Sequence, residues 1–254
     1  MPFCVIKSRT IKIFLAMVVV AVLLAISFEG GAAAQVWFGY STRLVPVYSV
    51  DTQEKQVAIS FDAAWGADKT QQIMEVLEEY EAGATFFLVG FWVDKYPEMV
   101  KAIDEAGFEI GTHSNTHPDM AKISQENIAK ELDISTEKIK AITGKEVSLF
   151  RPPYGSYNND LINACSQRNL IPIQWDVDSL DWKGLSATDI TTRVIDKVQN
   201  GSIILMHNNA DNVVDAVKMV LERLTNEGYK VTSVGDLVYH SDYTIDRNGV
   251  QHSN

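Results

Sequence analysis

The chain has 254 residues, of which 46% are hydrophobic and 22% charged, so it is long enough to bury one sizeable core or two small ones. It has 33 Asp and Glu residues against 22 Lys and Arg, a formal net charge of −11, which leaves no broad basic surface for a nucleic-acid backbone. Two cysteines, Cys4 and Cys165, cannot form a disulfide framework, and neither has a second cysteine at the spacing of a metal site.

The first 34 residues have the pattern of an export segment. Basic residues precede an uninterrupted apolar run, Ile13–Ile26, and Ala32-Ala33-Ala34 then supplies a small-residue cleavage pattern. The run is shorter than the roughly 20 residues that a membrane-spanning helix prefers. Two outcomes therefore stay open for residues 1–34, cleavage as a signal peptide or retention as a membrane anchor. Residues 35–54 would form a lead-in, and the domain after them is expected outside the cytoplasm.

From residue 55 the chain alternates short apolar runs with amphipathic segments, a pattern typical of parallel strands joined by helices. The first predicted helix begins at Asp68, whose side chain is expected to cap it. The predicted strands are Val57–Asp62, Thr85–Val89, Glu109–Thr112, Ser148–Arg151, Ile171–Trp175, Ser202–Met206 and Lys230–Thr232. The later predicted helices are Pro97–Ala106, Ser124–Thr143, Asn158–Arg168, Ala187–Gln199 and Val213–Glu227.

This alternation predicts an α/β domain at residues 55–240, and seven strand-helix units favour a barrel of parallel strands over an open doubly wound sheet. No G-x-G-x-x-G follows the first strand and no phosphate-binding loop pattern occurs, so a nucleotide cofactor is not expected. Residues 241–254 form a polar tail that we expect to be solvated or disordered.

In a barrel of this kind, chemistry is located at the carboxyl ends of the strands. Polar and aromatic residues follow five of the predicted strands, which places them on one rim. These segments are Asp62, His113-Ser114-Asn115-Thr116-His117, Arg151-Pro152-Pro153-Tyr154-Gly155, Asp178-Ser179-Leu180-Asp181-Trp182 and Leu205-Met206-His207.

Each group also has an ordinary structural interpretation. His113 and His117 are four residues apart, which on a helical turn places two imidazoles on one face at a separation suited to a divalent metal, although surface histidines show the same spacing. Asp62 is either a functional carboxylate or a turn cap. Arg151 is either part of a site or an ordinary ion-pair residue. The rigid Pro152-Pro153 turn fits an oxyanion site and a purely structural turn equally well.

The ordered set S-F-D, H-S-N-T-H, R-P-P-Y-G, D-S-L-D-W and L-M-H resembles the motifs of the polysaccharide deacetylases, the NodB-homology domain of carbohydrate esterase family four. The resemblance covers about residues 55–235 and implies a distorted (β/α)7 barrel. The segment S-F-D-A-A-W-G, together with the short signal or anchor, also resembles the sporulation-associated subgroup of endospore-forming bacteria. This narrower resemblance implies a location in the forespore or spore envelope.

The family resemblance implies hydrolysis of the N-acetyl amide of GlcNAc-type sugars, with a divalent metal such as Zn²⁺ or Co²⁺ activating water. The implied substrate is peptidoglycan or another GlcNAc-containing polysaccharide, with chitin-like oligomers and acetylated xylan as alternatives. By similarity, the catalytic residues are the general base Asp62 with its partner Arg151 and the general acid His207 with its partner Asp181, the metal ligands are His113 and His117, and the substrate-binding groups are the Tyr154 N–H, Trp182 and Leu205.

One position departs from the family pattern. The family usually has a second aspartate after the general base, which completes a His-His-Asp metal triad, and here that residue is Ala63. Asp68 is the nearest substitute in sequence, although its position suits a helix cap. The chain is therefore expected to be a deacetylase with weak or altered metal use, or a catalytically silent relative that binds glycan through rim tryptophans. A third hypothesis is a membrane-anchored interaction protein whose barrel is only a scaffold.

Overall fold

The computed structural model describes residues 8–28 and 43–254, which belong to two units divided between Arg43 and Leu44. The first unit contains one helix, α1 (Ser8–Phe28), whose side chains at residues 12–22 are exposed. A search of the described residues finds no helix that combines the length and the apolar character needed to cross a membrane. The cleavage pattern Ala32-Ala33-Ala34 lies outside the described residues, so the choice between signal peptide and anchor stays a prediction.

The second unit contains a strand at each place where the sequence predicts one, with somewhat different limits. Val177–Asp178 is an additional strand of two residues, too short to form a recognisable apolar run. The strands are β1 (Ser49–Val50), β2 (Gln56–Ala63), β3 (Thr85–Leu88), β4 (Glu109–Thr112), β5 (Leu149–Phe150), β6 (Ile171–Pro172), β7 (Val177–Asp178), β8 (Ile203–His207), β9 (Lys230–Thr232), β10 (Tyr243–Ile245) and β11 (Val250–Ser253).

The predicted helices also form, and two short helices join them at Gly90–Lys95 and Val234–Leu237. Side-chain oxygens of Ser124, Asn158 and Ser186 accept hydrogen bonds from backbone N–H groups and so fix where three of the helices begin. The helices of this unit are α2 (Thr70–Glu79), α3 (Gly90–Lys95), α4 (Pro97–Glu105), α5 (Gln125–Thr143), α6 (Asn159–Ser166), α7 (Ala187–Ile195), α8 (Val213–Asn226) and α9 (Val234–Leu237).

The main sheet confirms the distorted (β/α)7 barrel. Seven parallel strands follow the order β6-β5-β4-β3-β2-β8-β7, and β9 pairs with the start of β2. The path curls without closing, because β6 and β7 at its two ends are not paired with each other. Lead-in residues border this opening, with Val47 bridged to Ile173 and Ser49 bridged to Ser202.

The core lies between the sheet and its surrounding helices. Strand β2 is buried along nearly its whole length, as expected for a central strand of a parallel sheet. Helix α8 buries six apolar residues at helical spacing, and such burial is the main source of helix stability in a protein. On α6, Cys165 is fully buried, and burial raises the pKa of its thiol to about 12, so this cysteine is inert at neutral pH as its sequence context predicts.

The expected cap at Asp68 is wrong. Helix α2 begins at Thr70, the position before it is Lys69, and the Lys69 side chain makes no capping hydrogen bond. The Thr70 N–H instead donates to the Ala67 carbonyl in a turn, which leaves Asp68 exposed and one residue too early to reach the free N–H groups.

The expected disorder of the C-terminal tail is also wrong. Strands β10 and β11 form an antiparallel hairpin, and β11 pairs in parallel with β1 in a separate three-stranded sheet. Gln251 is completely buried, and its side chain accepts from the Tyr239 N–H and donates to the Tyr239 carbonyl. The last histidine, His252, has its Nδ1 within hydrogen-bond distance of Asp51 Oδ2, at 2.9 Å. Backbone pairing with the lead-in therefore orders a segment that has little apolar content.

Candidate active site

Strand β2 ends in a buried carboxylate that is paired with a buried guanidinium. Asp62 Oδ1 accepts a hydrogen bond of 2.9 Å from Nη1 of Arg151, which follows β5. The guanidinium carbon also lies over the Phe87 ring, 4.1 Å from the ring centroid, which is a cation–π contact. Burial alone would raise the pKa of Asp62, but its electrostatic interactions with His113, Arg151 and His207 and the hydrogen bond from Arg151 lower the pKa, so this carboxylate stays ionised.

His113 lies beside this pair with its orientation fixed. Its Nδ1 is 2.7 Å from the Arg151 carbonyl, which can only accept, so Nδ1 carries a proton. Its Nε2 is then directed at Asp62 Oδ2, 3.4 Å away. Burial lowers the pKa of His113 despite the nearby Asp62 carboxylate.

The His117 ring packs edge-to-face against the His113 ring, with the two ring centroids 5.0 Å apart. The helical turn expected for this pair does not form, since Ser114 and His117 have φ angles of 69° and 60° in a loop after β4. Burial is the main cause that lowers the pKa of His117 to about 4, which keeps the imidazole neutral at physiological pH. Its Nδ1 is buried without a hydrogen-bond partner among the described residues.

The carboxylate of Glu131 on α5 holds residues 113–117, the histidine loop. The sequence did not indicate this contact. One oxygen accepts from the backbone N–H groups of Asn115 and Thr116 at 2.8 and 2.7 Å, and the other accepts from the Thr116 hydroxyl at 2.6 Å. Glu131 resembles any other polar residue of an amphipathic helix, so no sequence pattern indicated this contact.

The R-P-P-Y-G segment forms a tight turn, Pro153–Gly155, in which Tyr154 has a φ angle of 60°. Gln174 holds this turn in place. Its side-chain Nε2 donates to the Gly155 carbonyl at 3.0 Å, and its backbone carbonyl accepts from Arg151 Nη2 at 3.2 Å. Gln174 is almost completely buried. A polar residue at the end of an apolar predicted strand was the signal that could have indicated it.

Strand β8 ends in His207, the register partner of Asp62 on the neighbouring strand. Its Nδ1 lies 2.7 Å from one oxygen of buried Asp181, and its backbone N–H donates to the other oxygen at 2.7 Å. Burial lowers the pKa of His207, but the hydrogen bond and charge of Asp181 outweigh it, so the pKa is raised overall. This imidazole therefore holds its proton to higher pH than an ordinary histidine.

The remaining predicted residues lie at the same end of the sheet. Leu205 pairs in register with Asp178 and is almost fully buried, whereas Trp182 follows Asp181 in a short turn and is exposed. Backbone strain is concentrated here, because four of the seven non-glycine residues with positive φ in residues 8–28 and 43–254 border the site, and they are Ser114, His117, Tyr154 and Leu180. Such strain is typical of functional sites that surrounding structure holds in place.

The described residues do not fit the three-ligand metal site that the family pattern implies. Ala63 is completely buried within the apolar core and has no ligand atom. Exposed Asp68 does not replace it, and residues 8–28 and 43–254 contain no group of three or more His, Cys, Asp or Glu arranged to hold a metal ion. Of the family's His-His-Asp triad, the described residues keep only the two imidazoles of His113 and His117.

Comparison with known proteins agrees with this arrangement. The family model for polysaccharide deacetylase matches residues 49–171. A peptidoglycan-N-acetylglucosamine deacetylase of Bacillus cereus is 31% identical over 205 residues, which cover 79% of this chain and 93% of that protein. The chain belongs to the polysaccharide deacetylase family. Another relative, the uncharacterized protein YlxY of Bacillus subtilis, is 32% identical over 76% of this chain, and the match spans 60% of YlxY.

Solved structures of polysaccharide deacetylase relatives include a catalytically deficient protein. The wild-type form of a CE4 family pseudoenzyme from Bacillus anthracis matches with a TM-score of 0.75 and 31% identity, over 83% of this chain and 73% of that one. A mutant of the same pseudoenzyme, described as having restored enzymatic activity, matches with 33% identity and the same TM-score. This chain is therefore similar both to deacetylases and to a family member classed as a pseudoenzyme.

Proposed function

We propose that this protein is an exported deacetylase that removes N-acetyl groups from GlcNAc- or MurNAc-containing cell-wall or spore-cortex polysaccharide. The observation that carries the proposal is a base and an acid at the ends of neighbouring strands. Asp62 is kept ionised beside Arg151, and Asp181 raises the pKa of its register partner His207. Amide hydrolysis needs these two proton carriers.

In the proposed reaction, Asp62 takes a proton from water as the water oxygen bonds to the acetyl carbon. The Tyr154 N–H donates to the acyl oxygen as it gains negative charge. The His207 imidazolium then gives its proton to the sugar nitrogen as the carbon–nitrogen bond breaks, which releases acetate and leaves a free amine. Arg151 and Asp181 hold the base and the acid in position.

Substrate and location follow the same reasoning. Leu205 and Trp182 would line the space for the acetyl methyl. Residues 1–34 would direct the domain outside the cytoplasm, as a cleaved signal or as a membrane anchor, and the S-F-D-A-A-W-G resemblance favours the spore envelope. Peptidoglycan is the preferred substrate because the Bacillus cereus relative is a peptidoglycan-N-acetylglucosamine deacetylase. Binding of Zn²⁺ or Co²⁺ by His113 and His117 stays a prediction.

The second candidate function is glycan binding without turnover. Ala63 favours it, because a metal held by two histidines alone loses a third of the usual protein ligands. Similarity to the Bacillus anthracis pseudoenzyme favours it as well. Both candidates predict glycan binding, and they differ in whether acetate is produced.

Acetate release separates the two candidates. The full-length protein is incubated with peptidoglycan and with chitotetraose, and acetate is measured alongside binding. If it is a deacetylase, Asp62→Asn and His207→Ala should each lower the rate by roughly 10²–10⁴-fold. Asp68→Asn is the matched control, because this carboxylate on the same loop is exposed and caps no helix. Glycan binding with no acetate from any variant would replace the first candidate with the second.

A further inference from the structure

The exposed aromatic side chains of the second unit are concentrated at one place. Four large apolar side chains are exposed among residues 43–254, and three of them, Trp65, Tyr154 and Trp182, follow strands at the rim that holds Asp62 and His207. Their exposed fractions are 64%, 69% and 59%. The fourth, Ile134, lies on α5. Exposed apolar surface gathered beside a polar site indicates a binding surface rather than a chance distribution.

Trp65 has no role in the proposed chemistry, yet it contacts the site directly. Its ring centroid lies 5.1 Å from that of His117, and the Tyr154 ring lies 4.7 Å from the same imidazole. His117 in turn contacts His113, which lies beside Asp62. A continuous series of rings therefore leads from the general base outward to the exposed indole.

The backbone that carries this indole is held firmly. Gly66, with a φ angle of 67°, follows Trp65, and its carbonyl accepts from Trp92 Nε1 at 2.6 Å and from Asn208 Nδ2 at 2.9 Å. A side chain at this glycine would come within 2.3 Å of the Asn209 amide. An aromatic ring presented on a fixed loop loses little conformational entropy when a ligand stacks on it.

An exposed indole next to a polar site suits a ligand that has one apolar face and a polar edge. A gluco-configured pyranose has such a face, because its ring C–H groups line the two sides while its hydroxyls lie around the edge. Packing between such a face and a fixed aromatic ring excludes water from both surfaces.

We propose that Trp65 is a specificity-determining residue that stacks on a sugar ring adjacent to the acetylated sugar, so that the site prefers oligomers over a single sugar. The inference rests on the proposed function only in taking the ligand to be an N-acetylhexosamine polymer. It requires binding and does not require turnover. Trp65 lies two residues after Ala63. The segment in which alanine replaces the usual aspartate ligand therefore also carries the proposed glycan contact.

Chain-length dependence of binding tests this inference. Dissociation constants of the full-length protein for chitotetraose and for GlcNAc are measured by calorimetry, for wild type, Trp65→Ala and Trp65→Phe. We expect Trp65→Ala to weaken chitotetraose binding by about tenfold, with GlcNAc binding unchanged and Trp65→Phe close to wild type. Ile134→Ala is the control, since it removes an exposed apolar side chain on α5, and it should change neither constant.

Three results would overturn the inference. In the first, Trp65→Ala binds chitotetraose as tightly as wild type does. In the second, Trp65→Ala loses the same factor of affinity for GlcNAc and for chitotetraose, and in the third, wild type binds neither sugar. Failure of the proposed hydrolysis gives a different pattern, in which acetate is absent while Trp65→Ala still weakens tetramer binding. Acetate release that is normal in a Trp65→Ala variant with unchanged tetramer affinity would leave the proposed function standing without this stacking contact.

Discussion

At the scale of single residues, ionisation in this site is set by neighbouring side chains rather than by burial alone. His113 is buried and His207 is half-buried, and burial disfavours the charged form of each. Asp181 accepts directly from His207 and raises its pKa, whereas burial lowers the pKa of His113 despite its hydrogen bond to the Arg151 carbonyl and the nearby Asp62 carboxylate. The pKa values of these two histidines are therefore shifted in opposite directions, which suits His207 to act as an acid and His113 to stay neutral.

Asp181→Asn should remove the charge that keeps His207 protonated. The alkaline limb of the kcat/KM profile should then move to lower pH, because the free imidazolium loses its proton earlier. The stabilisation from this pair is fully present below the ordinary histidine pKa and is lost as pH rises through the raised pKa of His207. The unfolding free energies of wild type and variant should therefore converge at alkaline pH. An unmoved alkaline limb would show that Asp181 does not set this pKa.

Ala63→Asp should supply the missing third ligand. We expect the variant to bind Zn²⁺ at least about tenfold more tightly than wild type, since three protein ligands are usual for a catalytic zinc site. Metal titration with the full-length protein measures this directly. Ala63→Asn is a matched control of similar size without the negative charge, and a second change, His113→Ala, should abolish the gain. Equal Zn²⁺ affinity of wild type and Ala63→Asp would mean that this position does not face the two histidines.

The sequence predicted which residues meet at this end of the sheet far better than it predicted their geometry. The motif order indicated Asp62, Arg151 and His207, because strand ends of a parallel barrel meet at one rim. Tertiary contacts impose the positive φ angles of His117 and Tyr154, which no pattern of side-chain types specifies. Gln174 was missed for the same reason, since its two hydrogen bonds depend on how separate loops meet.

At the scale of elements, helix α5 supports the site through several side chains, and Glu131 makes the most hydrogen bonds among them. Glu131 accepts three hydrogen bonds from the loop that carries His113 and His117. Glu131→Gln keeps the length of the side chain but replaces an accepting oxygen with a donor, so we expect a loss of about 1–3 kcal/mol in the free energy of unfolding. Chemical denaturation measures this loss. A loss confined to a few tenths of a kcal/mol would show that the loop holds its own shape.

Glu126→Gln provides the control on the same helix. Glu126 is exposed and pairs with Lys130 one turn further along, an interaction worth about 0.3–0.5 kcal/mol. Its replacement should therefore change stability much less than replacement of Glu131. Comparable effects of the two variants would attribute the loss to helix charge rather than to the histidine loop.

The predicted elements were reliable where apolar runs were long enough to show a period. Strands β2, β3 and β4 and helices α5 and α8 fall close to their expected positions because their buried faces dictate the pattern. Strand β7 has only two residues, and helix α3 starts at a glycine, so neither gives such a signal. Asp68 shows that a capping residue type does not by itself predict where a helix begins. The turn from Ala67 to Thr70 places the first helical residue at Thr70, so Asp68 does not occupy the capping position.

At the scale of the whole second unit, its two ends pair with each other. Ser49 of the lead-in lies opposite Val250 of the last strand. Backbone pairing between segments so distant in sequence leaves no local pattern, which explains why residues 241–254 were predicted as a solvated tail. The lead-in also hydrogen-bonds to the open edge of the main sheet at Pro172 and Gly201. Both ends therefore contribute to one folded unit. The domain boundary predicted at residue 240 would cut through this unit.

Removal of residues 241–254 should lower the melting temperature of the full-length protein. Truncation leaves the edge of β1 unpaired and removes buried Gln251, whose side chain satisfies both backbone groups of Tyr239. Gln251→Ala should reproduce part of this loss, whereas Asn254→Ala at the exposed terminus should have no effect. An unchanged melting temperature after truncation would show that the hairpin is dispensable.

The most direct test of the account is the reaction product formed by the wild-type, full-length protein in heavy-oxygen water. Water attack assisted by Asp62 and His207 predicts acetate that carries one heavy oxygen, together with an equal amount of free amine on the glycan, and neither product from Asp62→Asn. Glycan that binds tightly while acetate and free amine both stay absent would contradict the account, and it would identify the protein as a glycan-binding member of its family.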